Sequence, residues 1–170
     1  MKINKDKLKK QIIEFAVKGV EKFLNENPNL KFYALAFDCN AEYAGIGLCL
    51  NTEESFQNTL KHYQTGDSAK YYQKAEDIKD LKYNTGDWEY QCFENLDVFD
   101  ENELQKIFDE MPDDDYQSWN NFVNDLLELF TESLVEFSKT ETFTKIPKTD
   151  NFIVYCIDHD EDFDDAMERL

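Results

Sequence analysis

Positively charged side chains are almost missing from one third of this 170-residue chain. Residues 83–138 contain sixteen acidic residues and one basic residue, Lys106, and carry −15 of the formal net charge of −19. Residues 1–82 sum to +1 and residues 139–170 to −5. A surface this negative repels phosphate backbones, which argues against nucleic acid as a partner and for a basic protein. Glycine (five) and proline (three) are scarce, so long linkers are not expected, and no internal repeat or low-complexity tract is found. No apolar run approaches the roughly 18 residues of a membrane-spanning helix, so no membrane association is expected.

Residues that carry chemistry are also few. The two histidines, His62 and His159, have no cysteine pair at knuckle spacing, and no structural zinc site or other cofactor is expected. His62 lies in a polar helical stretch beside Lys61 and Tyr63 and reads as a surface histidine. There is no phosphate loop and no Gly-x-Gly-x-x-Gly; Gly45 and Gly47 stand alone at a strand edge. The acidic run from Asp158 begins like a calcium loop. Its sixth position is Phe163 where glycine makes the turn, and its twelfth is Arg169 where glutamate is needed. His159-Asp160-Glu161 matches half of a zinc deaminase signature, but the cysteine half is missing. Cys39, Cys49, Cys92 and Cys156 are far apart. The basic start of the chain leads into Ile12, Ile13, Glu14 and Phe15, broken by a charge, so no secretory signal is expected. Four reduced thiols in a cytoplasmic protein follow.

What the chain does contain is a core. It is 41% hydrophobic, with fourteen Phe and nine Tyr, and a chain of this length buries roughly 70% of its extended surface. Leu8, Ile12, Phe15, Ala16, Val20 and Phe23 predict a helix over residues 5–25, ended by Asn25, Asn27 and Pro28. Two short runs, residues 32–37 and 46–50, are apolar at nearly every position and predict antiparallel strands covered on both faces. Asn51 with Glu54 predicts a capping box opening a helix from Thr52 to about Tyr63, with a further helix over residues 68–74. Residues 81–93 read as a strand or irregular edge. Asp100 with Glu103 caps a short helix that Met111 and Pro112 stop, and Asp113, Asp114 and Asp115 open the next one. Trp119, Phe122, Val123, Leu126, Phe130, Leu134 and Phe137 form the stripe of a long core helix. After a polar connection over residues 140–150 come a buried strand at residues 152–157 and a short final helix. The expected architecture is α+β: one domain over residues 1–170, with a mixed sheet of about four strands packed against helices.

Three segments resemble the uncharacterised bacterial domain-of-unknown-function 4303 family. They are Phe32-Tyr33-Ala34-Leu35, the Tyr83-x-x-x-Asp87-Trp88-Glu89-Tyr90 pattern, and Val154-Tyr155-Cys156-Ile157-Asp158. The order of elements agrees over nearly the whole chain. The resemblance implies a bacterial cytoplasmic α+β domain with no established activity, in the company of small acidic immunity-type proteins. It brings no catalytic residues.

Without a catalytic set, the reading is a non-enzymatic acidic protein-binding module, with an immunity-type protein that neutralises a basic toxin as one form. The alternatives are a carboxylate-based hydrolase and a regulatory or scaffold domain. The expected partner-binding residues are Asp87, Trp88, Glu89, Tyr90, Glu94, Asp97, Asp109 and Glu110, within an acidic face over residues 87–115. Alternation through residues 87–90 puts Trp88 and Tyr90 on one side and the acids on the other. Trp88 is then either a core residue or an exposed anchor rimmed by carboxylates.

Overall fold

A computed structural model describes residues 4–65, 70–111 and 116–170. Four strands form one sheet: β1 (Phe32–Asn40), β2 (Gly45–Thr52), β3 (Tyr90–Asp97) and β4 (Lys148–Asp158), in the order β3-β2-β1-β4. β1 pairs antiparallel with β2 and parallel with β4, and β2 pairs antiparallel with β3. The sheet is therefore mixed, and its two central strands are the two apolar runs near the N-terminus.

Helices cover both faces. On one lie α1 (Lys5–Glu26) and α5 (Tyr116–Phe137), which bury Leu8, Ile12, Val20, Phe122, Leu126, Phe130 and Phe137 against Leu35, Phe37, Leu48 and Leu50. Gly19 lets α1 approach closely, because a Cβ there would lie 2.7 Å from Leu48 Cδ1. On the other face lie α2 (Glu53–Thr65), α3 (Ala75–Tyr83) and α7 (Phe163–Glu168), over Ala34, Ala36, Cys49, Tyr155 and Ile157. Two short helices complete the fold, α4 (Glu101–Asp109) and α6 (Glu141–Lys145). None of the helices among the described residues is long and apolar enough to cross a membrane.

Several boundaries differ from the sequence expectation for physical reasons. The helix placed at 68–74 is instead α3, and residues 66–69 lie outside the described residues. Residues 81–93 are not one strand: α3 runs to Tyr83, a 3-10 turn covers Thr85–Asp87, and β3 begins at Tyr90. What ends α3 is tertiary. Its last carbonyls accept from three buried side chains: Tyr33 Oη (2.6 Å) and Trp88 Nε1 (2.9 Å) to Lys82, and Tyr155 Oη (2.8 Å) to Tyr83. Asn51 stays in β2, and Thr52 Oγ1 accepts the Ser55 N–H at the start of α2 (3.1 Å). The capping box of Asp100 and Glu103 is present as expected. The connection over residues 140–150 contains α6 and the start of β4. The aspartates at 113–115 lie outside the described residues. All four cysteines are free thiols.

Candidate functional site

Trp88 shows how the sequence places a large aromatic. Ala34 and Ala36 leave room on the sheet for rings, and Trp88 fills it edge-on between Tyr33 (5.9 Å) and Tyr155 (6.0 Å). With its indole N–H on the Lys82 carbonyl, the side chain is 5% exposed and cannot anchor a partner. Tyr90 does not share its side. It packs on Phe23 and Phe32 under α1, because the 3-10 turn before β3 breaks the alternation.

The other expected residues scatter. Asp87 accepts from the hydroxyl of Tyr63 (2.7 Å) and the amide of Asn84 (2.8 Å), and the Tyr63 hydrogen bond to this carboxylate raises the phenol above its ordinary pKa. Glu94 pairs with Lys22 of α1. Glu89 and Asp97 are exposed at the two ends of β3, and Asp109 and Glu110 are exposed at the end of α4. The eight residues therefore occupy both faces and one edge of the sheet.

Part of the charge imbalance along the chain is cancelled in three dimensions. Basic α1 lies against acidic α5, pairing Lys5 with Asp125 (3.1 Å) and Lys9 with Glu132 (2.6 Å). These exposed pairs contribute little stability each, but they cancel field. Part of what is left over lies on α4. Among the described residues Glu101, Glu103 and Asp109 have no lysine or arginine partner. Asp109 accepts from the neutral amide of Gln105 (2.7 Å).

The same surface carries aromatics that the sequence reading missed. Phe108 is 56% exposed and meets Trp119 edge-on at 5.7 Å; Tyr116, one turn earlier on α5, is 75% exposed. Ile107 and Phe108 are adjacent on α4, which buries Ile107 and leaves Phe108 outside. Glu101 lies seven residues before Phe108, on the same side of α4.

A cavity of about 780 Å³ lies elsewhere, between α3 and the loop before α7. Asp77, Asp80, Asp87, Asp160 and Asp162 line it, with Tyr83 and Phe163 stacked at 4.3 Å. Its acids are partly committed: Glu161 to Arg169 and Asp164 to Lys79. In the run from Asp158, Asp158 itself accepts the Ala41 N–H (2.9 Å).

Fold and surface together define a single-sheet α+β domain with helices on both faces and an acidic, aromatic-bearing α4–α5 surface. The chain belongs to the DUF4303 family, a domain of unknown function (DUF4303), whose family model matches residues 12–170. No curated protein and no solved structure matches the chain.

Proposed function

We propose that the chain is a non-enzymatic protein-binding module whose α4–α5 surface receives a basic protein. The observation that supports this is exposed Phe108 on α4, set against Trp119, with exposed Tyr116 one turn earlier on α5; the α4 residues Glu101, Glu103 and Asp109 have no lysine or arginine partner among the described residues. Large aromatics carry binding energy when a partner desolvates them, and a rim of one charge steers a partner of the other. A toxin that grips an acidic substrate presents a basic surface of the required kind, so an immunity-type use fits this chemistry. Of the face expected over residues 87–115 this reading keeps the α4 part, with Asp109 and Glu110, and leaves out Trp88, which is core.

The test compares wild type with Phe108→Ser and with a triple neutralisation, Glu101→Gln, Glu103→Gln and Asp109→Asn. Each is immobilised to capture binders, and the captured protein is then purified for kinetics. Phe108→Ser should weaken binding by on the order of 2 kcal/mol. The neutralised variant should associate roughly tenfold more slowly at low salt, and salt should slow the wild type in the same way. A partner held equally by all three proteins, with salt-independent kinetics, overturns the reading.

A further inference from the structure

Asp38, Cys49 and Cys92 stand on three adjacent strands, β1, β2 and β3, on the face covered by α2, α3 and α7. The β2–β3 register slips between Leu48 and Leu50, and Cys92, inside that slip, has φ of 43°. Non-glycine residues rarely adopt this left-handed backbone, and such strain persists where the surroundings enforce it. The slip swings the Cys92 side chain over Gly47, where a Cβ would lie 2.4 Å from its Sγ. Glycine at 47 is what leaves the thiol its place.

Three contacts define the cluster. The Cys92 N–H donates to Cys49 Sγ at 3.0 Å, the two sulfurs are 3.8 Å apart, and Cys92 Sγ is 3.7 Å from Asp38 Oδ2. One ligand atom from each residue lies within 4.8 Å of the others. A tetrahedral zinc ion with Zn–S of about 2.3 Å and Zn–O of about 2.1 Å has a sulfur–sulfur edge of about 3.8 Å and a sulfur–oxygen edge of about 3.6 Å. Both observed edges match this geometry before any ion is added.

We propose that Asp38, Cys49 and Cys92 form a three-ligand site for a thiophilic divalent metal of the zinc class. A cavity of about 260 Å³, lined by Asp38, Cys92 and Asn95, adjoins the site and leaves its fourth position to water. On binding, both thiols release their protons to solvent, and two thiolates and a carboxylate surround the dication. The backbone N–H on Cys49 Sγ is a bond that supports thiolate charge. The other close pair, Cys39 and Cys156, is an internal control. Its sulfurs are 3.4 Å apart, but both residues are buried, and among the described residues no third ligand joins them. Spacing along the chain shows no metal knuckle because the ligands come from separate strands.

The experiment titrates the reduced, chelator-stripped full chain with Co²⁺ and then with Zn²⁺. One equivalent of cobalt should give a sulfur-to-metal charge-transfer band and the intense visible bands of tetrahedral cobalt, both bleached by zinc. Cys92→Ser should weaken binding about a hundredfold, and Asp38→Asn and Gly47→Ala at least about tenfold, whereas Cys156→Ala should leave the titration unchanged. Gly47→Ala keeps every thiol, so its effect reports position and not sulfur count. X-ray absorption on the zinc-loaded wild type covers the case of a variant that fails to fold, and should find two sulfur ligands. A sulfur count other than two, a cobalt spectrum without charge transfer, or a Cys92→Ser variant that binds cobalt as tightly as the wild type overturns the proposal.

Discussion

The two faces of the sheet are built on different principles. Under α1 and α5 the contacts are between hydrocarbon and aromatic side chains, with ion pairs only at the rim. Under α2, α3 and α7 the large side chains have polar tips: Tyr33, Trp88 and Tyr155 each bury a ring and donate to the end of α3. The same contrast holds for the thiols. Cys39 and Cys156 pack into the apolar core of the first face, while on the second Cys92 touches both Cys49 and the Asp38 carboxylate. The difference teaches that the first face supplies bulk stability and the second places groups. Buried hydrogen bonds demand one geometry, whereas apolar packing tolerates several.

Raising the pH separates the two faces most strongly. Burial pushes the Tyr33 and Tyr155 phenols above their ordinary value of 10.0. A raised folded-state pKa gives stability that is complete below the unfolded value and is lost as pH climbs toward the folded one. Above about pH 10 each phenol should therefore remove about 1.4 kcal/mol per pH unit. Lys148, beside Phe143 and Phe152 on the other side, has the opposite sign. Burial lowers its ammonium below 10.5, so deprotonation between its folded value and 10.5 favours the fold. Denaturant melts against pH should show net loss above 10, and Tyr33→Phe should shrink the slope. An unchanged slope would remove the phenols from the explanation.

Trp88→Ala should cost about 3–5 kcal/mol, as a cavity left between two rings. Urea unfolding measures it, and a loss below 1 kcal/mol would mean that the ring is not held as described. Gly19→Ala probes the apolar face by overpacking against Leu48 and should cost about 1–3 kcal/mol. Tyr33→Phe at neutral pH removes only a hydroxyl, the one that donates to Lys82 O and accepts from Asn51 Nδ2 (3.1 Å). It should cost about 1–2 kcal/mol. The smallest effect is expected at the rim, where Lys5→Gln should cost less than about 1 kcal/mol, and less still at high salt.

How far the sequence reached depended on whether the signal was local. Helical periodicity placed α1 and α5, two uninterrupted apolar runs placed β1 and β2 at the centre of the sheet, and Asp100 with Glu103 marked the start of α4. The end of α3 was out of reach, because the groups that cap it come from β1, β4 and the segment before β3. Trp88 was legible as either core or anchor. What decided it was the space above Ala34 and Ala36.

Composition and periodicity by themselves determined the α+β class, the buried central strands, the two long helices and the acidic excess. These follow from hydrophobic pattern and charge, which act at short range along the chain. Only the tertiary structure decided where the excess is cancelled, since Lys5, Lys9 and Lys22 meet Asp125, Glu132 and Glu94 across packed elements. It also decided that Phe108 is left outside, and that Asp38, Cys49 and Cys92 converge. A shifted register between two strands sets that convergence, and strand register depends on which residues face each other across the sheet.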